Sequence, residues 1–474
     1  METKAETKSA GRQVIGKDAI YDARSLGAGK MGILGIQHMF AMFGATVLVP
    51  VLTGLPVSTT LLFAGIGTLL FHFVTGRKVP AFLGSSFAFL AGYMTIAPNG
   101  EPDLLPYACF GVAMAGLVYL VLAGLFKAFG ANKVMKYFPP VVTGPIIIAI
   151  GLNLSQSAID NCSTNWAIAL VAIVIIIVCN IWGRGMVKII PIVLGVIGSY
   201  LVAACWPGQI DWTLVREAPV IGLPLAWNRT VFGLLGSHPD KSLLLTAVIT
   251  ILPISFATMM EHIGDVSAIS STVGRNFIQD PGLHRTLTGD GLATTVASLF
   301  GAPANTTYGE NTGVLTLTKV YDPRVIRLAA CFAIILSFCP KFAALIEVMP
   351  AATMGGISLV LYGMISAVGV RNVVETKVDF TKSRNVIIAA LILVLSIGIN
   401  YSTAGSVGFT VGSVTLNFSG IAVGSLVGIL LNAILPGKDY TFMDEKPNRT
   451  GVDLQIAQGE SISEVNDKKK RSRE

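Results

Sequence analysis

Apolar stretches recur along this chain so often, and with so little charge inside them, that a water-soluble core could not hold them all. They fall near 31-52, 58-75, 81-96, 106-128, 138-152, 165-182, 187-205, 242-260, 287-301, 311-320, 324-338, 351-369, 386-400 and 418-435, fourteen in all. A helix needs ~20 apolar residues to cross a bilayer. Several stretches are shorter, which predicts tilted, broken or re-entrant elements packed inside protein. Soluble domains are about one quarter charged. Here 53% of residues are hydrophobic, 13% are charged and mean hydropathy is +0.69. The chain reads as an all-α polytopic membrane protein.

The charges that remain report orientation. Lys and Arg cluster in every second connection, at Arg77-Lys78, Lys127 to Lys136, Arg184 with Lys188, Arg275 to Arg285, Lys319 to Arg327 and Arg371 to Arg384. The connections between them are poor in both residues, except the long segment 206-241, and long loops weigh little in the positive-inside rule. Both termini are therefore expected on the cytoplasmic side of the plasma (inner) membrane. The net charge of +7 sits beside spans, as topology requires, and does not indicate nucleic-acid binding. The first 29 residues are polar with no visible cleavable signal, and the tail 437-474 has the composition of a disordered segment. Six scattered cysteines have no metal-ligand spacing and read as small buried hydrophobes. No nucleotide-binding, nucleophile-elbow or zinc-hydrolase motif is present. An enzyme is not expected, nor is any cofactor or metal, and without an ATP site the chain would draw on an ion gradient or only equilibrate its substrate.

Two stretches carry Pro together with Gly, Ser or Thr where hydrocarbon should lie. Val79-Pro80-Ala81-Phe82-Leu83-Gly84-Ser85-Ser86-Phe87 comes about fifty residues after the first span begins. Ala302-Pro303-Ala304-Asn305-Thr306-Thr307-Tyr308-Gly309-Glu310-Asn311-Thr312-Gly313 comes about sixty residues after a span beginning near Leu243. Interrupted segments at matching places in two halves of seven spans each predict a 7+7 inverted-repeat transporter, with elements 3 and 10 discontinuous. Asn305 to Thr307 suit an extended strand or turn, and Gly309 allows close backbone approach to a ligand. A half-helix starting there would aim free N-H groups at a polar solute.

Two carboxylates, Glu261 and Glu310, lie at membrane depth, each where a helical pattern breaks. Charges so placed are expensive and are usually kept for a substrate, an ion or a proton. Glu261 and Asp265 are i, i+4 neighbours on a helix. Nearby carboxylates in a low dielectric can exchange a proton near neutral pH, although Asp265 could also lie at the cytoplasmic surface. His38 is an intramembrane histidine, more often a packing residue than a proton carrier. His262 points about 100° away from Glu261 around a helix. His284 reads as a loop residue, and Asp290 as an acid at a span start or a helix N-cap.

Gln37 to Pro50, Gly84 to Phe89, Glu261-His262-Ile263-Gly264, Asp280 to Arg285 and Thr306 to Gly313 with Thr318-Lys319 together resemble the nucleobase-ascorbate transporter family, in its uracil-carrying bacterial branch. The resemblance runs from about Gln37 to Pro436. It implies a proton symporter with short antiparallel strands in elements 3 and 10 and substrate between them. It also implies a core domain from 30-134 and 242-340 and a gate domain from 135-241 and 341-436, flanked by a cytoplasmic N-terminal segment 1-29. Carried over residue by residue, Glu261 and Glu310 would accept from ring N-H groups, while the N-H groups of Phe87, Gly309 and Glu310 would donate to ring carbonyls. Glu261, Asp265 and His38 would serve proton coupling, and Asn311, Gly313 and Thr318 are structural members of the motif. Asp265 stands where uracil carriers often have His and resembles the xanthine and urate branch, whereas Glu310 resembles the uracil branch. The balance favours uracil, with a xanthine or urate symporter and a passive nucleobase channel as alternatives. A homodimer in the lipid bilayer is the expected assembly.

Overall fold

The computed structural model describes residues 19–134, 136–411 and 414–438. The segments before residue 19 and after residue 438, to which polar-tail roles were assigned above, lie outside the described residues. The chain is overwhelmingly helical. Its first half runs through α1 (Ala28–Thr53), α2 (Val57–Val74), strand β1 (Leu83–Ser85), α3 (Leu90–Ile96), α4 (Leu105–Phe129), α5 (Pro140–Ser163), α6 (Trp166–Ile181) and α7 (Pro191–Ala204). The second half runs through α8 (Lys241–Ile251), α9 (Ile254–Val273), α10 (Leu283–Leu299), strand β2 (Asn305–Thr307), α11 (Gly309–Thr318), α12 (Pro323–Ser337), α13 (Pro340–Glu347), α14 (Ala351–Glu375) and α15 (Ser383–Asn400). It ends with strands β3 (Ser406–Val411) and β4 (Val414–Ser419) and helix α16 (Gly420–Ile434).

The local reasons for these boundaries are visible in the caps. The Asn165 and Asp240 side chains accept the first free N–H groups of α6 and α8, and Asp322 does the same for α12, which opens with Pro323. Gly54 and Gly274 close α1 and α9 in the left-handed conformation that glycine adopts without penalty. Among the described residues seven helical spans, with α8 and α9 taken together as one, are long and apolar enough to cross a membrane, and an eighth results if α12 and α13, bent by 87° at their junction, count as one span. The chain is thus a multi-pass membrane protein.

Helices of one half pack on helices of the other. The main pairs are α5 with α14, α4 with α10, α2 with α12 and α1 with α12, whereas α6–α7 and α15–α16 pair within a half. Close approach depends on missing side chains, as in many membrane interfaces. A Cβ on Gly116 would stand 2.8 Å from Gly291 O, and one on Gly291 would stand 2.6 Å from Gly116 O, so α4 and α10 meet backbone to backbone.

Several expectations change here. Glu261 does not sit at a break: α9 runs through it without interruption, and the irregular step between α8 and α9 falls earlier, at Leu252-Pro253. Asp290 is interior to α10 and fully buried, so it is not an N-cap. His284 lies in the first turn of α10, because the preceding Asp280-Pro281-Gly282 supplies the break that starts this helix. The polar connection after α15 is a β-hairpin, with Ser406 paired to Ser419 and Val411 to Val414.

Candidate functional site

The two interrupted segments come together. β1 pairs antiparallel with β2, Leu83 opposite Thr307, Gly84 opposite Thr306 and Ser85 opposite Asn305. Further cross-strand bonds run from Tyr308 N to Phe82 O at 3.0 Å and from Ser86 N to Ala304 O at 2.9 Å. All six strand residues are buried. A two-stranded ribbon has two bare edges, which hydrocarbon would not tolerate, and here side chains cover them. Thr68 of α2 bonds both polar groups of Leu83, accepting from its N–H at 2.9 Å and donating to its O at 3.2 Å. On the other edge Asp290 Oδ1 accepts from Thr307 N at 3.0 Å, and Thr294 Oγ1 donates to Asn305 O at 2.8 Å. The Tyr308 hydroxyl donates to Ser85 O at 2.8 Å, and the Asn305 amide donates to Phe63 O at 2.6 Å.

From the ribbon ends the chain turns into helix. Phe87 opens a short 3-10 turn that leads into α3, and Gly309 opens α11. The first N–H groups of a helix have no acceptor within it, so both helix starts present donors next to the ribbon. Phe87 itself is buried and meets Tyr362 of α14 edge to face, with ring centroids 5.6 Å apart. Gly309 is exposed, and a Cβ added there would meet Asp265 Oδ1 at 3.3 Å. Nothing would stand within 4 Å of a Cβ on Gly264 or Gly313. The space beside the start of α11, on the side of α9, is therefore open.

Glu261 and Asp265 share one face of α9 and are half-buried, while the intervening His262 and Ile263 are buried. The helix continues eight residues past Asp265 to Val273, so neither acid is at the end of α9. Asp265 Oδ2 accepts from Thr307 Oγ1 at 3.3 Å. His262 Nδ1 lies 3.1 Å from the same hydroxyl and 3.3 Å from Asp290 Oδ2. Thr307 thus links Asp265 on α9 to a wholly buried His262–Asp290 pair. The sequence reading set His262 aside on helical direction and left Asp290 as a possible cap. The signal that could have found them is their own rarity: two ionisable groups inside apolar helices.

His38 is fully buried in α1. The Asn311 amide contacts it twice, at 3.2 Å from Nδ1 and 3.1 Å from the His38 carbonyl. His38 therefore anchors the first turn of α11 through Asn311. Thr318 closes α11 by donating to Val314 O at 2.8 Å. The Glu310 backbone lies in the first turn of α11, and its side chain is outside the described residues. Glu261, Asp265, Phe87, Gly309 and Asn311 are thus gathered on elements that meet at the ribbon, whereas Thr318 lies a helix length away.

A strand ribbon that interrupts two segments inside a bundle of membrane-spanning helices, with acids beside it, is the arrangement of a membrane transporter. A family model described as the permease family matches residues 29–405, and the chain belongs to that family. Curated relatives include the uracil permease of Bacillus caldolyticus, 41% identical over 85% of this chain and 92% of the relative. The uracil permease of Escherichia coli K12 is 36% identical over 85% of this chain and 90% of its own length. Among solved structures, the transmembrane domain of the cyanobacterial bicarbonate transporter BicA aligns with a TM-score of 0.55 at 15% identity, covering 88% of this chain and 99% of that one. Murine Slc26a9, an anion transporter in the inward-facing state, aligns at 0.60 with 12% identity, covering 85% of this chain and 67% of its own. These two alignments show the fold alone.

Proposed function

We propose that this chain is a proton-coupled symporter that imports uracil across the plasma membrane by alternating access. The observation that carries this reading is the β1–β2 ribbon, which sets the N–H groups opening α3 and α11 beside the acids of α9. Uracil presents ring N–H donors and carbonyl acceptors. Carboxylates accept from the first and helix-start amides donate to the second. Glu261 and Glu310 take the N–H groups, and Phe87, Gly309 and Glu310 supply backbone donors. Glu261 with Asp265 is the proton-coupling pair, and His38 acts there only through Asn311. The uracil permeases among the relatives support the substrate class.

The finer architecture belongs to the same proposal. Fourteen segments form two inverted sets of seven, with both termini cytoplasmic. Helices from 30-134 and 242-340 make a core domain, and those from 135-241 and 341-436 make a gate domain. Exposed apolar side chains on α14 and α15, such as Val368, Val374 and Val394, suit burial against lipid or a second copy, and a homodimer is the proposed assembly.

Asp265 favours a second reading, a xanthine or urate symporter. Both readings are tested in proteoliposomes. Labelled uracil should accumulate only with an inward proton gradient, and internal unlabelled uracil should stimulate exchange. Gradient-independent uptake would remove the coupling, and absence of counterflow would favour a passive channel. Uptake blocked by excess xanthine or urate would move the assignment to purines.

A further inference from the structure

Residues 19–26 precede α1, yet they bind the ends of three other helices. Ile20 N donates to Lys319 O at 2.9 Å and Tyr321 N donates to Ile20 O at 2.8 Å, which sets Ile20 parallel to Val320. The Tyr21 hydroxyl donates to the carbonyl of Val273, the last residue of α9, at 2.8 Å. Its ring lies 5.5 Å from that of Tyr321, with the Arg275 guanidinium 4.6 Å above it. Ala23 is wholly buried and donates its N–H to Asp322 Oδ2 at 2.8 Å. Asp22 accepts from Arg324 of α12 at 2.9 Å. A hydrogen bond from Arg24 holds the Asp22 carboxyl well below the usual carboxylate range, so this contact keeps its charge at neutral pH.

The helices joined in this way carry the proposed site. α9 bears Glu261 and Asp265, and α11 bears Glu310. Gly274 and Lys319, at φ 70° and 53°, end these helices in left-handed turns. Nothing helical continues past either end to hold its direction. Val273 lies eight residues beyond Asp265 and Lys319 nine beyond Glu310, so each contact acts ~12–14 Å from its acid at 1.5 Å per residue. On that arm a tilt of about 5° moves the carboxylate by about 1 Å, a displacement that functional geometry does not tolerate.

We propose that residues 19–24 form a permanent clasp across the ends of α9 and α11 that fixes their relative tilt and so positions the acids of the two helices. The inference rests on the site assignment above for its functional consequence. The test uses the full chain in proteoliposomes. Tyr21→Ala, which removes ring and hydroxyl, should weaken uracil binding about tenfold and shift the pH midpoint of binding. Tyr21→Phe, which removes one hydrogen bond, should weaken it about threefold. Thermal unfolding followed in parallel identifies any variant that fails to fold. An Ile20→Cys, Val320→Cys pair, oxidised in a background with Cys205→Ser and Cys331→Ser, should keep wild-type binding and uptake because the clasp does not open. Wild-type binding and an unmoved pH midpoint in both Tyr21 variants would overturn the proposal. So would loss of uptake in the oxidised pair that returns on reduction. Failure of the nucleobase reading is a different result, no uracil binding by the wild-type chain.

Discussion

Replacing Asp290 separates two roles for one buried carboxylate. Oδ1 accepts the outward N–H of Thr307 at 3.0 Å, and Oδ2 faces His262 Nδ1 at 3.3 Å. Asp290→Ala removes the acceptor and leaves a buried strand N–H unpaired. A hydrogen bond to a charged acceptor is worth about 1.5–3 kcal/mol, and an orphaned buried donor costs about 1–3 kcal/mol. Because His262 still has Thr307 Oγ1, a loss near 3 kcal/mol is expected, or ~150-fold in the folding equilibrium. Asp290→Asn keeps an oxygen to accept from Thr307, so its stability should fall by no more than ~1 kcal/mol. Unfolding of the purified carrier measures the difference, and labelled-uracil binding measures whether the ribbon has moved. The Asn variant should bind but transport poorly, and the Ala variant should do neither. Equal stability in the two variants would refute the claim that this carboxylate seals the ribbon edge.

Other substitutions test the site from different sides. Glu261→Gln and Glu310→Gln each replace a charged acceptor by a neutral amide, so binding should weaken by ~10- to 100-fold and uptake should vanish. Equilibrium binding at fixed pH checks this, and wild-type values in both would remove the assignment. Gly84→Ala would drive a Cβ to 2.6 Å from both Thr46 Oγ1 and the Tyr308 ring. Overpacking of this kind costs about 1–3 kcal/mol, visible as a lowered unfolding temperature, and an unchanged temperature would mean that the ribbon yields easily. Asp265→His should raise the preference for uracil over xanthine in a competition assay, and an unaltered ratio would show that this position does not select the base.

How much of this was legible depends on whether a residue's role is local. The interrupted elements announced themselves, because Pro303 with Asn305 to Thr307 cannot continue a helix and Gly309 with Asn311 can begin one. The pairing of the strands was expected only from the resemblance, since nothing in either strand names its partner 222 residues away, from Gly84 to Thr306. Asp290 was misread because Thr288-Gly289-Asp290-Gly291 looks like a start, while the true start is set upstream at Asp280-Pro281-Gly282. Glu261 and Asp265 share one face of α9 as their spacing implies, but Glu261 does not sit at a break, because the irregularity belongs to Pro253. The hairpin β3–β4 was missed although Val407, Phe409 and Val411 alternate with smaller or polar residues, the period of a strand.

The ribbon also explains why so many hydroxyls lie inside so apolar a chain. The proposed binding of a small polar ring at membrane depth can use unbonded backbone amides, and interrupting a span supplies them. The interruption exposes more polar backbone than one ligand could satisfy, and every surplus group needs a partner. Thr68, Thr294, Asp290 and Tyr308 are those partners, and each belongs to, or reaches from, a helix or turn that flanks the ribbon. Sealing the edge with an acid also brings its second oxygen within 3.3 Å of the buried His262 imidazole. Thr307 then connects the sealed edge to Asp265. Asp265 and strand β2 are therefore held by one set of hydrogen bonds, so under the proposed proton coupling a change in the charge of Asp265 bears directly on the geometry of the ribbon.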